Sequence, residues 1–153
     1  MMVNKLAEEK IESIIRGLID GLEKKDSDKV LAFFADDGVW YAPEGEFRGK
    51  VELARYIAWQ TSARFGDVKF KDTGLGIVVQ GNKAVYEYDW EATVEGTRIK
   101  TPGVCVYKFR DGKCVYHRSI VDRLSGAVQG ATGFIGKRAV NAVVAQVETG
   151  LRE

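Results

Sequence analysis

From Asp67 onward the apolar residues recur at every second position, in four runs over about 68–80, 83–94, 97–109 and 113–124. Only two or three residues separate one run from the next, which leaves no room for crossover helices, so the strands must be antiparallel neighbours. Ahead of them the period is helical. Leu6, Ile11, Ile14, Ile15, Leu18, Ile19 and Leu22 predict an amphipathic helix over roughly 4–25. Asp26 or Ser27 then reads as the N-cap of a short helix carrying Val30, Leu31, Phe33 and Phe34, ended by Asp36-Asp37-Gly38. Val39–Ala42 predicts a short strand stopped by Pro43, 44–49 a loop, and 50–64 a third helix. Helices followed by a meander define an α+β chain, with three N-terminal helices packed on one face of a curved antiparallel sheet. At 153 residues this is one domain's worth of chain, and no long linker divides it.

Turn chemistry sets the register. Gly81-Asn82 and Glu95-Gly96 fit two-residue turns, while Arg110-Asp111-Gly112 reads as a three-residue loop with Gly112 in the left-handed position. Tyr86, Tyr88, Trp90 and Ala92 then share one face, and Glu87, Asp89 and Glu91 the other. These turns place Cys105, Gly103 and Thr101 opposite Tyr86, Tyr88 and Trp90, and His117, Ser119 and Val121 opposite Cys105, Gly103 and Thr101. The reverse face carries Glu91, Lys100 and Asp122 in line, an expected ion ladder on a solvated or subunit-facing surface.

Twenty-three Lys and Arg balance 22 Asp and Glu, which argues against a broad nucleic-acid footprint. The N-terminal segment is charged throughout, and no run approaches the roughly 18 apolar residues of a membrane span. A cytoplasmic protein with no membrane or nucleic-acid partner is expected, with Cys105 and Cys114 as free thiols.

Phe34-Ala35-Asp36-Asp37-Gly38-Val39-Trp40-Tyr41-Ala42-Pro43, then Phe47-Arg48-Gly49 and the closing run Phe109–Leu124, resemble the nuclear transport factor 2-like superfamily. The resemblance is nearest to its SnoaL-like polyketide cyclase and ketosteroid isomerase branches. It covers about 4–129. It implies a cone-shaped sheet around an apolar pocket, often dimeric through the sheet's outer face. The domain is read over 1–129, with 130–153 a glycine-rich linker and C-terminal helix that belongs to the same domain or to the dimer contact, so that a homodimer is expected through the sheet face or the terminal helix. The family's enzymes place carboxylates in the pocket, and this chain departs from them. Ser119 stands where cyclase-type and limonene-epoxide-hydrolase relatives have an acid. Tyr86 and Tyr88 stand where the latter have Arg and Asp. Ala42 and Leu18 stand where ketosteroid isomerases have their base and tyrosine.

The candidate site is therefore read from other residues. His117, the only histidine, suits proton transfer near neutral pH. Tyr41 and Tyr88 could steady a developing oxyanion, and Tyr86, Trp90, Tyr56, Thr101, Gly103, Cys105 and Ser119 are expected to line the ligand pocket. A register error would bring Arg118 and Asp122 into it instead. Trp40 and Trp59 read as packing residues. No second histidine or nearby carboxylate completes a metal site on the His117 face. Gly130-Ala131-Thr132-Gly133-Phe134-Ile135-Gly136 matches a dinucleotide-loop pattern, but lacks the flanking parallel strands and acidic residue that mechanism needs. A linker and a helix over 137–149, with no cofactor, is expected instead. The reading is a homodimeric pocket protein for a hydrophobic oxygenated small molecule, either a cofactor-independent isomerase or cyclase or a non-catalytic binder. A protein-interaction module is the remaining class.

Overall fold

In a computed structural model, which describes residues 2–151, the apolar stripe of the first segment becomes α1 (Met2–Glu23). It buries Ile11, Ile15, Leu18, Ile19 and Leu22 against the sheet. Asp26 caps α2 (Ser27–Ala32) by accepting the Lys29 N–H at 3.0 Å. The chain then runs through β1 (Phe34–Ala42), β2 (Gly45–Arg48), α3 (Gly49–Gln60), β3 (Phe65–Gln80), β4 (Lys83–Val94), β5 (Thr97–Arg110) and β6 (Lys113–Val121). Two helices close it, α4 (Arg123–Gly130) and α5 (Gly133–Val147). One six-stranded sheet has the order β2-β1-β6-β5-β4-β3. The three N-terminal helices pack against one face of this curved sheet, as the patterning predicts; α4 packs on β5, and α5 packs on α4.

Three local expectations are corrected. Phe34 opens β1 rather than closing α2, because Phe34 pairs with Cys114 of β6 and the Cys114 N–H donates to Phe33 O. Lysines from distant segments satisfy the freed carbonyls at the end of α2, with Lys50 on Leu31 and Phe34 and Lys113 on Ala32. The β1–β6 pair is parallel, so the sheet is antiparallel everywhere else but mixed overall. Residues 45–48 form β2 instead of a loop, paired back onto β1.

The β4–β5 register is as read from the turns: Tyr86 faces Cys105, Tyr88 faces Gly103 and Trp90 faces Thr101. The β5–β6 register is not. Asp111 and Gly112, both at positive φ, form a two-residue turn that pairs Arg110 with Lys113, and a bulge then skips Val115. Cys105 therefore faces Ser119, Gly103 faces Val121 and Tyr107 faces His117. Beyond the bulge the slip is two residues, so from Tyr116 onward each β6 side chain keeps its face while changing its neighbour, whereas before it Cys114 turns inward opposite Phe109 and Lys113 outward. The reverse-face ladder is also rearranged. Glu91 binds Lys71 and Arg98, and Lys100 reaches Asp89. Asp122 lies beyond β6, where its carboxylate accepts the Ser125 N–H at 2.9 Å and starts α4. The expected linker is accordingly shorter: Gly130 ends α4, and α5 begins at Gly133. No described helix is long and apolar enough to cross a membrane.

Candidate functional site

The concave face of the sheet, α1, α3 and α4 enclose a cavity of about 320 Å³. Its wall is a chain of rings, because alternation on β4 and β5 sends every second residue inward. Trp40 meets Tyr56 edge-on at 4.9 Å, Tyr56 stacks with Trp59 at 5.8 Å, and Trp59 meets Phe65 at 5.1 Å. Phe65 meets Trp90 at 5.9 Å, and Tyr86 stacks on Tyr88 at 4.8 Å. Trp40 and Trp59, read from sequence as packing residues, are thus part of this wall.

Of the sequence candidates, His117, Tyr56, Tyr86, Tyr88, Trp90, Thr101, Cys105 and Ser119 line the cavity. Tyr41 and Gly103 do not. Tyr41 points to the outer face of β1, where its hydroxyl accepts from Arg48 at 2.8 Å and the Arg118 guanidinium lies 4.6 Å from its ring. Adjacent strand residues face opposite ways, and Trp40 takes the inward position. Gly103 lies beneath the Tyr88 ring, where a Cβ would come within 2.7 Å of Tyr88 Cζ.

His117 is 1% exposed and sandwiched between rings, stacked on Trp40 at 4.3 Å with Tyr107 at 4.5 Å. Burial depresses its pKa to about 3, so the imidazole is neutral near pH 7. Its Nε2 lies 3.3 Å from Ser119 Oγ, and among the described residues its Nδ1 has no hydrogen-bond partner. Ser119 Oγ also accepts the Trp40 indole N–H at 2.6 Å. Tyr88 Oη and Cys105 Sγ are 3.4 Å apart, and burial raises the pKa of both groups. The closed end of the cavity therefore presents neutral hydroxyl, thiol, indole and imidazole groups.

Charge is confined to the rim, where Glu44, Arg64, Asp122 and Arg123 line the opening. The Tyr56 hydroxyl donates to Glu44 at 2.7 Å and accepts from Gln60 at 2.5 Å. Burial first, then the Glu44 charge, pushes the Tyr56 phenol up. Sequence reasoning missed Glu44, Gln60, Arg64 and Arg123, which come from separate segments with no shared spacing. Tyr107 was within reach, since it follows Gly103 and Cys105 on the same alternating face. Asp122 reaches the rim by ending β6, not through an exchange of faces. Among the described residues no group of three His, Cys, Asp or Glu side chains is placed to hold a metal.

A bent sheet wrapped with helices around an apolar cavity defines a nuclear transport factor 2-like protein. Residues 15–117 match the model of the SnoaL-like domain, and the chain belongs to that family. No match was found among curated proteins. Solved structures share the fold at low identity. A Xanthomonas campestris pv. campestris protein described as a polyketide cyclase has a TM-score of 0.71 at 16% identity, over 80% of this chain and 97% of its own. A Catenulispora acidiphila protein with a ketosteroid isomerase-like fold, in complex with trimethylamine, gives 0.69 at 15%, over 78% and 93%. An LEH-like epoxide hydrolase from M. tuberculosis gives 0.66 at 20%, over 92% and 97%.

Proposed function

We propose that the protein binds a hydrophobic, oxygenated small molecule inside the cone. The observation that carries this reading is the cavity itself: an aromatic wall, a few uncharged polar groups at the closed end, and charges only at the mouth. Such a division suits a ligand whose body is apolar and whose polar atoms are few and directional. Native mass spectrometry of the purified protein, followed by extraction, tests it. A bound aromatic or polycyclic compound is expected, displaced by Tyr88→Asp. A protein that takes up no hydrophobic small molecule from a broad panel refutes it.

A second reading, a cofactor-independent isomerase or cyclase, is favoured by Glu44, a rim carboxylate held by the Tyr56 phenol. Removal of a proton beside a ligand carbonyl then falls to Glu44. His117, with its pKa near 3, is a weak base and is not an imidazolium acid at neutral pH. Solvent deuterium entering the bound ligand, lost in Glu44→Gln with binding retained, separates a catalyst from a binder.

The same reading includes a homodimer through the sheet's outer face. One cross-strand row there runs Tyr41, Arg118, Val106, Val85 and Val78 through five strands. Val85 and Val78 are exposed, and such a mixed apolar and Tyr/Arg patch suits a two-fold contact.

A further inference from the structure

The mouth of the cavity carries two arginines whose donors the protein leaves largely unused. Arg64 directly precedes β3 and Arg123 opens α4, and both line the opening. Among the described residues Arg123 donates only to the Pro43 carbonyl, at 3.3 Å, and has no ion pair. Arg64 has a single distant carboxylate, Glu95 at 3.9 Å, which is itself mostly in water. A guanidinium carries five N–H donors in a planar fork that matches a carboxylate. Most of that capacity is open at both residues.

The two acids at the same opening are better served. Glu44 accepts the Tyr56 hydroxyl at 2.7 Å, and Asp122 accepts the Ser125 N–H at 2.9 Å. Asp122 is also the N-cap of α4, where the positive end of the helix offsets its charge. The opening is formally neutral, but its acids are held by donors of the protein and its arginines are not held by acceptors of comparable strength. Further in the chemistry changes. The closed end presents only neutral groups, and a carboxylate carried there would lose its water with no cation to meet it. A charged end group therefore stays at the mouth, half in water, while the apolar body enters first.

We infer that the mouth is a subsite for an anionic end group, with Arg64 and Arg123 taking a carboxylate at the trailing end of the ligand. This rests on the pocket reading above and adds a charge, an orientation and a ligand class: an apolar carboxylic acid, bound body first. Discrimination follows from the same arrangement. A neutral molecule of the same shape fills the aromatic cavity equally well but leaves both guanidinium groups to water. A cationic end group is repelled by the arginines and finds the acids already bonded.

The test titrates 6-phenylhexanoate, 6-phenylhexanamide and 6-phenylhexylammonium, which share one apolar body and differ at the end group. At neutral pH and low salt the carboxylate is expected to bind about fivefold to tenfold more tightly than the amide, the combined worth of two partly exposed ion pairs. The ammonium should bind most weakly. At about 0.5 M salt the preference should shrink, because exposed charges are screened. The double variant Arg64→Gln/Arg123→Gln should bring the carboxylate-to-amide ratio to about one and keep the amide affinity. Lys5→Gln, which removes an equal charge from an exposed position of α1, should leave the ratio as in wild type. Amide binding with no preference for the carboxylate, a preference for the ammonium, or a wild-type preference independent of salt overturns the inference and leaves the pocket reading standing. So does a preference that survives the double variant or disappears in Lys5→Gln. Failure of all three probes to bind overturns both.

Discussion

The single histidine makes the protein's stability a pH meter for one buried group. In the unfolded chain His117 titrates near ~6.5, and in the fold its pKa is lowered to about 3. A depressed histidine pKa means the unfolded state binds a proton that the native state refuses. The stabilisation is then fully present above the unfolded pKa and is lost as pH falls from about 6.5 toward 3. Between pH 7.5 and 5.0 the loss is about 2 kcal/mol, from ~1.5 pH units at 1.36 kcal/mol each. Carboxylates held low by cationic partners, such as Asp72 beside Arg16, act in the same direction, but most of their effect falls at lower pH. Urea melts at the two pH values measure the loss directly. His117→Phe, which keeps an aromatic ring among Trp40, Tyr107 and Phe34, should flatten the profile over this window. A wild-type profile already flat from pH 7.5 to 5.0, or a variant as steep as wild type, would falsify the account of a desolvated, neutral His117.

Gly103→Ala should cost about 1–3 kcal/mol in denaturant melts, because the new Cβ meets a Tyr88 ring that cannot move freely. Tyr88→Asp should cost a few kcal/mol at neutral pH by burying an unpaired carboxylate. Asp89→Asn on the opposite face, which loses only the Lys100 pair at 3.1 Å, should cost no more than about 1 kcal/mol. The reverse ranking would mean that the two faces of β4 are exchanged. Sedimentation at micromolar concentration should give twice the mass of one chain, and Val106→Glu should halve it; wild-type monomers throughout would rule out the sheet-face dimer.

The legible part of the structure was local. Period-two alternation on β4 and β5 assigned the inward faces, and Glu95-Gly96 counted the β4–β5 register correctly; Gly81-Asn82 did so only for Ile77–Gln80, before β3 shifts register twice against β4. The third hairpin hid a second event, since a two-residue turn and a bulge add up differently from a three-residue loop. Parity survived the miscount, so His117 and Ser119 still face inward. The parallel β1–β6 contact was invisible because it joins segments about half the chain apart, and it overrode the helical reading of Phe34. The rim was hidden for the same reason: Glu44 follows β1, Arg64 follows α3 and Arg123 opens α4.

One side chain at the far end of the sheet has a bearing on how the molecule stays discrete. β6 stops at Val121, opposite Gly103, so the Thr97–Thr101 stretch of β5 has no strand on that side. Gln129 stands in for one: its amide accepts the Lys100 N–H at 2.8 Å and donates to the Lys100 carbonyl at 2.6 Å. Ile99 reaches within 3.3 Å of where a Cβ on Gly130 would sit, so the helix lies close along the edge. An uncovered strand edge is a template that recruits strands from neighbouring molecules. By imitating one residue of a missing strand and then turning away as a helix, α4 blunts this stretch of β5 against pairing with a strand from another molecule.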